Sequence, residues 1–255
     1  MSYKKIIMPI TMAAMTTIGY FWGYENAKSS TTPIKGGYFA IAPEELVNIY
    51  QSSRRIDRSY VLEEKCNDST TVNHFGSGVL LRDSQTGDEY FLTANHMTPY
   101  APGEYYPCTE KKEGKEYKKG IKVLKSTLTV EGLPAEVVKQ DEKIDQALLK
   151  IEGTLDSRLC YHGKIASQLH RGDYVMGTGF PSGEHLYSVA NVTERRPDMT
   201  VLNMKIIEGN SGGGVYRFAD QGLELIGTVR GESSITPLEK MRELIKGTPL
   251  EDEYL

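Results

Sequence analysis

The chain has 255 residues, 39% of them hydrophobic and 25% charged, and a net charge of -4. This is globular composition, long enough for one two-lobed domain with its own core and without metals or many disulfides. The acidic balance argues against a nucleic-acid partner, which rewards a basic surface. Cys66, Cys108 and Cys160 show no C-x-x-C spacing and no neighbouring His, so the usual zinc patterns are excluded. They leave two readings open: three unpaired thiols, or one disulfide and one free thiol, with Cys66–Cys108 favoured because both flank the region of His96.

In chain order, Lys4 and Lys5 precede an uncharged stretch from Ile6 to Tyr24. A basic start followed by an apolar run reads as an export segment over 1–27. It is either a signal peptide cut near Ala27 or an uncleaved single-span anchor with the remainder facing outward. The protein is thus expected to be periplasmic, extracellular or membrane-anchored. Residues 28–60 read as a polar linker and a short helix opened by Pro43-Glu44-Glu45, with Leu46, Ile49 and Tyr50 on one face.

From about Val61 the pattern changes to short apolar runs separated by turn residues. Gly78–Leu81, Tyr90–Ala94, Ile121–Leu124, Ala147–Ile151, Tyr174–Gly177, Val201–Met204, Gly214–Tyr216 and Leu225–Val229 are predicted strands. Thr86-Gly87-Asp88 fits a hairpin turn between the first two. Lys111–Gly120 reads as a solvated, charged hairpin tip, because Glu113 and Glu116 dilute its lysines. Near the end, Thr236 as N-cap, Pro237 at the first position and Glu239 at the third predict a helix ending at Gly247. Residues 61–247 form the predicted domain, 248–255 a tail, and the fold class is all-β with a C-terminal helix.

Three segments carry chemistry: His96 at the end of one predicted strand, Asp145 just ahead of another, and Ser211 among glycines. A serine hydroxyl needs a base within hydrogen-bond reach. Imidazole titrates in the right range, and a carboxylate behind it fixes the tautomer. Glycines beside the serine permit a sharp turn, leaving the amides of Gly209 and Ser211 to form an oxyanion hole. Asp141 is a rival carboxylate, but no apolar strand follows it directly. An α/β-hydrolase site is excluded, because it needs a His after the Ser and the last histidine is His185. His74, His162, His170 and His185 are expected in surface or structural roles.

Thr93-Ala94-Asn95-His96, Asp145-Gln146-Ala147-Leu148-Leu149 and Gly209-Asn210-Ser211-Gly212-Gly213 resemble, in this order, the motifs of trypsin-like serine proteases. The resemblance is nearest to the bacterial branch that includes the HtrA and glutamyl-endopeptidase groups. Gly172 to Pro181, ending Gly179-Phe180-Pro181, also fits that pattern, as does Leu225-Ile226-Gly227 after the nucleophile. The resemblance implies two six-stranded antiparallel β-barrels of the chymotrypsin type. It implies a serine endopeptidase acting on protein or peptide substrates with the triad His96, Asp145 and Ser211, and no metal or organic cofactor. It also implies a primary pocket with Lys205 at its floor and Arg230 on its wall, which would repel Lys or Arg and favour an acidic or small residue. No PDZ-like module follows Gly247, so a stand-alone protease is expected. Two rivals remain: a catalytically inactive cell-envelope binding protein of the same fold, and an esterase-like hydrolase using the same triad.

Overall fold

The structure is a computed structural model. It describes residues 43–112, 115–181, 184–204, 207–219, 222–231 and 233–255, together with a short hairpin of β1 (Pro33–Ile34) and β2 (Tyr38–Phe39). The expected export segment over 1–27 and Lys205 lie outside the described residues. Among the described residues, no helix is long and apolar enough to cross a membrane.

Helix α1 (Pro43–Ser52) runs directly into β3 (Ser53–Cys66). The first barrel continues through β4 (Ser69–Arg82), β5 (Glu89–Thr93), β6 (Tyr105–Lys112), β7 (Lys115–Val130), β8 (Leu133–Asp141) and β9 (Gln146–Ile151). Their order is β3-β4-β5-β9-β8-β7, and a further β3–β7 pairing closes six strands into a barrel, with β6 attached outside on β7. The second barrel is also six-stranded and closed. It comprises β10 (Tyr174–Gly179), β11 (Leu186–Arg195), β12 (Thr200–Leu202), β13 (Gly214–Ala219), β14 (Gly222–Gly231) and β15 (Ser234–Ile235), in the order β10-β11-β12-β15-β14-β13. Every ladder within the barrels is antiparallel.

The apolar runs of β4, β5 and β9 have a cause in how the barrels meet. Leu80, Phe91, Ala147 and Leu149 point into the first barrel's core. Their alternates, Val79, Leu81, Leu92 and Leu148, join a second cluster with Val175, Val215, Leu225 and Val229 of the other barrel. Strands buried on both faces lose the polar alternation of a half-exposed strand and read as continuous hydrophobic runs. The two barrels are therefore packed through an apolar face, which holds the ends of these strands at fixed positions.

Helix α2 (Leu238–Ile245) buries Leu238, Met241, Leu244 and Ile245 in that same shared cluster. Lys139 from β8 donates to the carbonyls of Lys246 (2.7 Å) and Glu243 (3.3 Å), placing a cation at the negative end of the helix. Thr236, expected to cap α2, does not do so. The first residue outside the helix is Pro237, and the Thr236 hydroxyl turns to the Ile144 carbonyl (3.4 Å). Residues 248–255, expected as a tail, pack into the body. They form α3 (Glu251–Tyr254), where Tyr254 is 1% exposed and its hydroxyl donates to the Tyr161 carbonyl (2.9 Å). The barrel also begins at Ser53, eight residues before the expected Val61, because the outward positions of β3 are charged and mask its inward Ile56 and Tyr60.

Cys66 and Cys108 form a disulfide that ties the end of β3 to β6. Cys160 is free and buried, and its burial raises the thiol pKa to about 12, which leaves it an unreactive thiol.

Candidate active site

Strand register brings His96 and Asp145 together. Thr93 at the end of β5 is opposite Ala147 near the start of β9. The chain thus leaves β5 at the end where it enters β9. Asn95–Met97 turns there as a short 3-10 segment carrying His96, with Met97 buried beneath it against Gly76. The β8–β9 loop supplies Asp145 from the other side. Asp145 lies in the left-handed region with φ 55°, which costs about 1 kcal/mol for a residue with a side chain.

That loop is held rather than free. The Asp141 carboxylate accepts the Lys143 N–H (2.9 Å) and the Ile144 N–H (3.4 Å), and the Glu142 carbonyl accepts the Asp145 N–H (3.3 Å). Asp141 is thereby a turn-former and Asp145 the residue aimed at the imidazole. The Asp145 carboxylate takes the His96 backbone N–H on Oδ1 (2.8 Å) and meets Nδ1 with Oδ2 (2.7 Å). A carboxylate at this distance accepts, so Nδ1 carries a hydrogen, and the neutral tautomer that this selects has its lone pair on Nε2. Asp145 is mostly covered while the His96 side chain is 42% exposed, so the imidazole stays accessible.

Ser211 reaches the same end from the second barrel. Its carbonyl accepts the Ser77 N–H (2.8 Å), and Ser77 in turn accepts the Thr93 hydroxyl on its own carbonyl (2.7 Å). The loop around it is a tight double turn. Ile207 accepts the Asn210 N–H (3.1 Å) with Gly209 at φ 93°, a type II arrangement that calls for glycine. Asn210 accepts the Gly213 N–H (2.8 Å) with Gly212 at φ 84°. A Cβ on Gly212 would collide with the Thr93 hydroxyl and the Ser77 carbonyl. Among the described residues, no backbone bond uses the amides of Gly209 or Ser211. Among the described residues both amides are thus without a backbone acceptor, as an oxyanion hole requires. Among the described residues, the Ser211 hydroxyl makes no hydrogen bond, so the contact to His96 is not closed in this conformation.

The sequence reading gave Ser77 no role. Its hydroxyl donates to the Gly209 carbonyl (2.6 Å) and accepts the Phe180 N–H (2.8 Å), and the residue is fully buried. One serine of the first barrel thus holds the 209–213 loop at Gly209 and at Ser211. Arg58 was missed as well. Its guanidinium donates to the carbonyls of His96 and Thr98 and lies over the Tyr60 ring, bracing the turn that carries His96. The only sequence signal was an arginine at an inward position of a strand.

Of the two expected pocket residues, Arg230 is described. Its guanidinium donates to the carbonyls of Asp198 and Lys143, so the charge is turned toward the loop before Asp145. An open groove of about 330 Å³ is lined by Arg55, Arg58, Asn73 and His74. His185 is enclosed by Tyr50, Phe180 and Tyr187, with ring centroids 4.4, 4.8 and 4.9 Å away. Its burial, reinforced by the Arg54 charge, lowers its pKa to about 4. It therefore acts as a neutral packing element beside Phe180.

The two barrels are consistent with a chymotrypsin-like fold. The chain matches no protein-family model and no curated protein.

Proposed function

We propose that this chain is a serine endopeptidase of the trypsin-like, chymotrypsin-fold kind. The observation that carries the reading is the two-point hold of the Asp145 carboxylate on His96, at its backbone N–H and at Nδ1. It fixes both the tautomer and the ring direction that a general base for a hydroxyl requires. A purely structural His–Asp pair would have no need of a serine in a glycine turn with two uncommitted amides beside it.

In this reading the Ser211 hydroxyl attacks the scissile carbonyl while His96 Nε2 takes its proton. Asp145 steadies the imidazolium that results. The Gly209 and Ser211 amides receive the developing oxyanion, and each such donor accounts for about 10²–10³ in rate. His96 returns the proton to the departing amine, and a water molecule then opens the acyl-enzyme by the same route. Metal ions and organic cofactors have no part in these steps. The Cys66–Cys108 disulfide supports the export reading, because such bonds persist in oxidising compartments.

The test is labelling of the full chain with a fluorophosphonate, beside Ser211→Ala and His96→Ala. The expected result is labelling of the parent that disappears in both variants. A folded parent that does not label would refute the protease reading and favour the inactive binding protein. Matched amide and ester substrates separate the endopeptidase from an esterase.

A further inference from the structure

The β6–β7 hairpin extends beyond what the first barrel needs. Only Val123–Val130 of β7 pairs with β3, while residues 115–122 pair with β6 alone. Every residue from Lys115 to Gly120 is exposed, so both faces of this two-stranded arm stand in solvent. Its base is rigid. The Cys66–Cys108 disulfide crosses it, and Tyr60, Leu62, Ile121 and Val123 form a small core beneath.

The arm is basic on a protein whose net charge is -4: residues 105–124 hold six lysines against Glu110, Glu113 and Glu116. Lys119 is neutralised by Glu64 and Glu110, and Lys111 by Glu116. Lys112, Lys115, Lys118 and Lys122 have no ion pair among the described residues. Lys112 and Lys115 are directly opposite each other in the ladder. Like charges in that relation destabilise a hairpin, and an anion brought against them relieves the repulsion.

Apolar groups share the same arm. Tyr105 is 67% exposed, Leu124 53% and Tyr117 51%, and among the described large hydrophobic residues only Val189 is also more than half exposed. Tyr105 and Leu124 lie on the face of Lys118 and Lys122, with the Tyr105 ring laid across Gly120, and Tyr117 lies on the opposite face.

We propose that this arm docks the protein on an anionic lipid surface. Charge complementarity selects an anionic partner. A dissolved polyanion would use the lysines and leave Tyr105, Tyr117 and Leu124 in water. A bilayer interface takes both, with tyrosines at headgroup depth and lysines against the lipid phosphates. Each lysine held at such a surface strengthens binding about fivefold. The proposal is independent of the His96–Asp145–Ser211 chemistry.

The test uses the full chain with its single tryptophan removed and a reporter placed on the arm, Trp22→Phe with Tyr117→Trp. This reporter reads the arm however the remainder of the chain meets a membrane. The expected result is blue-shifted emission, quenched by brominated lipid, with equimolar phosphatidylcholine–phosphatidylglycerol vesicles and not with phosphatidylcholine alone. High salt reverses it, and Lys112→Gln with Lys115→Gln weakens it roughly thirtyfold, the product of two such lysines. An unchanged emission on the anionic vesicles overturns the proposal, as does an equal response to neutral ones. A response to soluble polyphosphate without one to vesicles also overturns it and reassigns the arm to a polyanion.

Discussion

Replacing Ser77 by alanine separates the inter-barrel hold on the nucleophile loop from the triad itself. The substitution removes one oxygen from a fully buried site and leaves the Ser77 N–H bond to the Ser211 carbonyl in place. Two partners lose their bond, the Gly209 carbonyl at 2.6 Å and the Phe180 N–H at 2.8 Å. A buried polar group left without a partner costs about 1–3 kcal/mol, so two give roughly 2–4 kcal/mol after partial relaxation. The Gly209–Asn210 peptide also loses the bond that fixes its plane, and it adjoins the Glu208–Gly209 peptide, whose N–H is one of the two proposed oxyanion donors. Complete loss of such a donor lowers the rate about 10²–10³-fold, and a misaligned one about tenfold to a hundredfold. The paired assay is urea denaturation for stability and the rate of fluorophosphonate labelling for reactivity. Labelling at the parental rate in Ser77→Ala would show that Gly209 is held by other contacts and would refute this reasoning. A slower rate restored by Ser77→Thr, which keeps the hydroxyl, would confirm the bond as the cause.

Asp145→Asn is expected to lower hydrolysis by about 10⁴, since the amide favours the wrong imidazole tautomer. Asp141→Asn keeps a carbonyl oxygen for the Lys143 and Ile144 amides and is expected to change the rate little; equal losses in both variants would reject the assignment of roles. Stability should fall between pH 6.5 and about 4, because His185 takes a proton when unfolded but stays neutral in its aromatic enclosure until about pH 4. That window amounts to at most about 3 kcal/mol, present in full above pH 6.5 and lost as the pH drops. His185→Phe should flatten this part of the denaturation profile, and an unaltered slope would dismiss His185 as its source. The Arg230 charge, held at the Lys143 carbonyl two residues before Asp145, should disfavour cleavage after Lys or Arg, and a peptide library cut preferentially after Arg would contradict this.

What the sequence made legible, and what it concealed, follow from burial. Each of the eight predicted runs overlaps a strand, although Tyr90–Ala94 overruns β5 by one residue and Val201–Met204 overruns β12 by two, because the apolar residues of these runs pack into the core clusters. The missed strands β1, β2, β3, β6, β8, β11 and β15 are short or half-exposed. In β8, for example, Ala135, Glu136, Val137 and Val138 give no alternation, since the ladder shifts register between Val137 and Lys139. Helix α1 was legible from Pro43 and its acidic first turn, whereas the end of the chain was not. Leu250 and Tyr254 are two apolar residues in an acidic context, and only the pocket under Arg82 and Tyr161 makes them core.

The candidate site divides in the same way. His96, Asp145 and Ser211 were legible because the chemistry constrains their neighbours, and the glycines at 209 and 212 have the positive φ that such a turn demands. Ser77 and Arg58 were not, because each acts on backbone carbonyls distant in sequence, and a carbonyl leaves no trace in side-chain pattern. Ser77 is 132 positions from the carbonyl it holds. Such contacts have a consequence for the proposed mechanism. The base and its carboxylate belong wholly to the first barrel, and the nucleophile belongs to the second. The distance across which a proton must pass is therefore set by the inter-barrel contacts, with Ser77 at their centre. A variant that loosens that contact should lower reactivity while leaving the His96–Asp145 pair intact, whereas a change within the pair should leave the barrel contact unaltered.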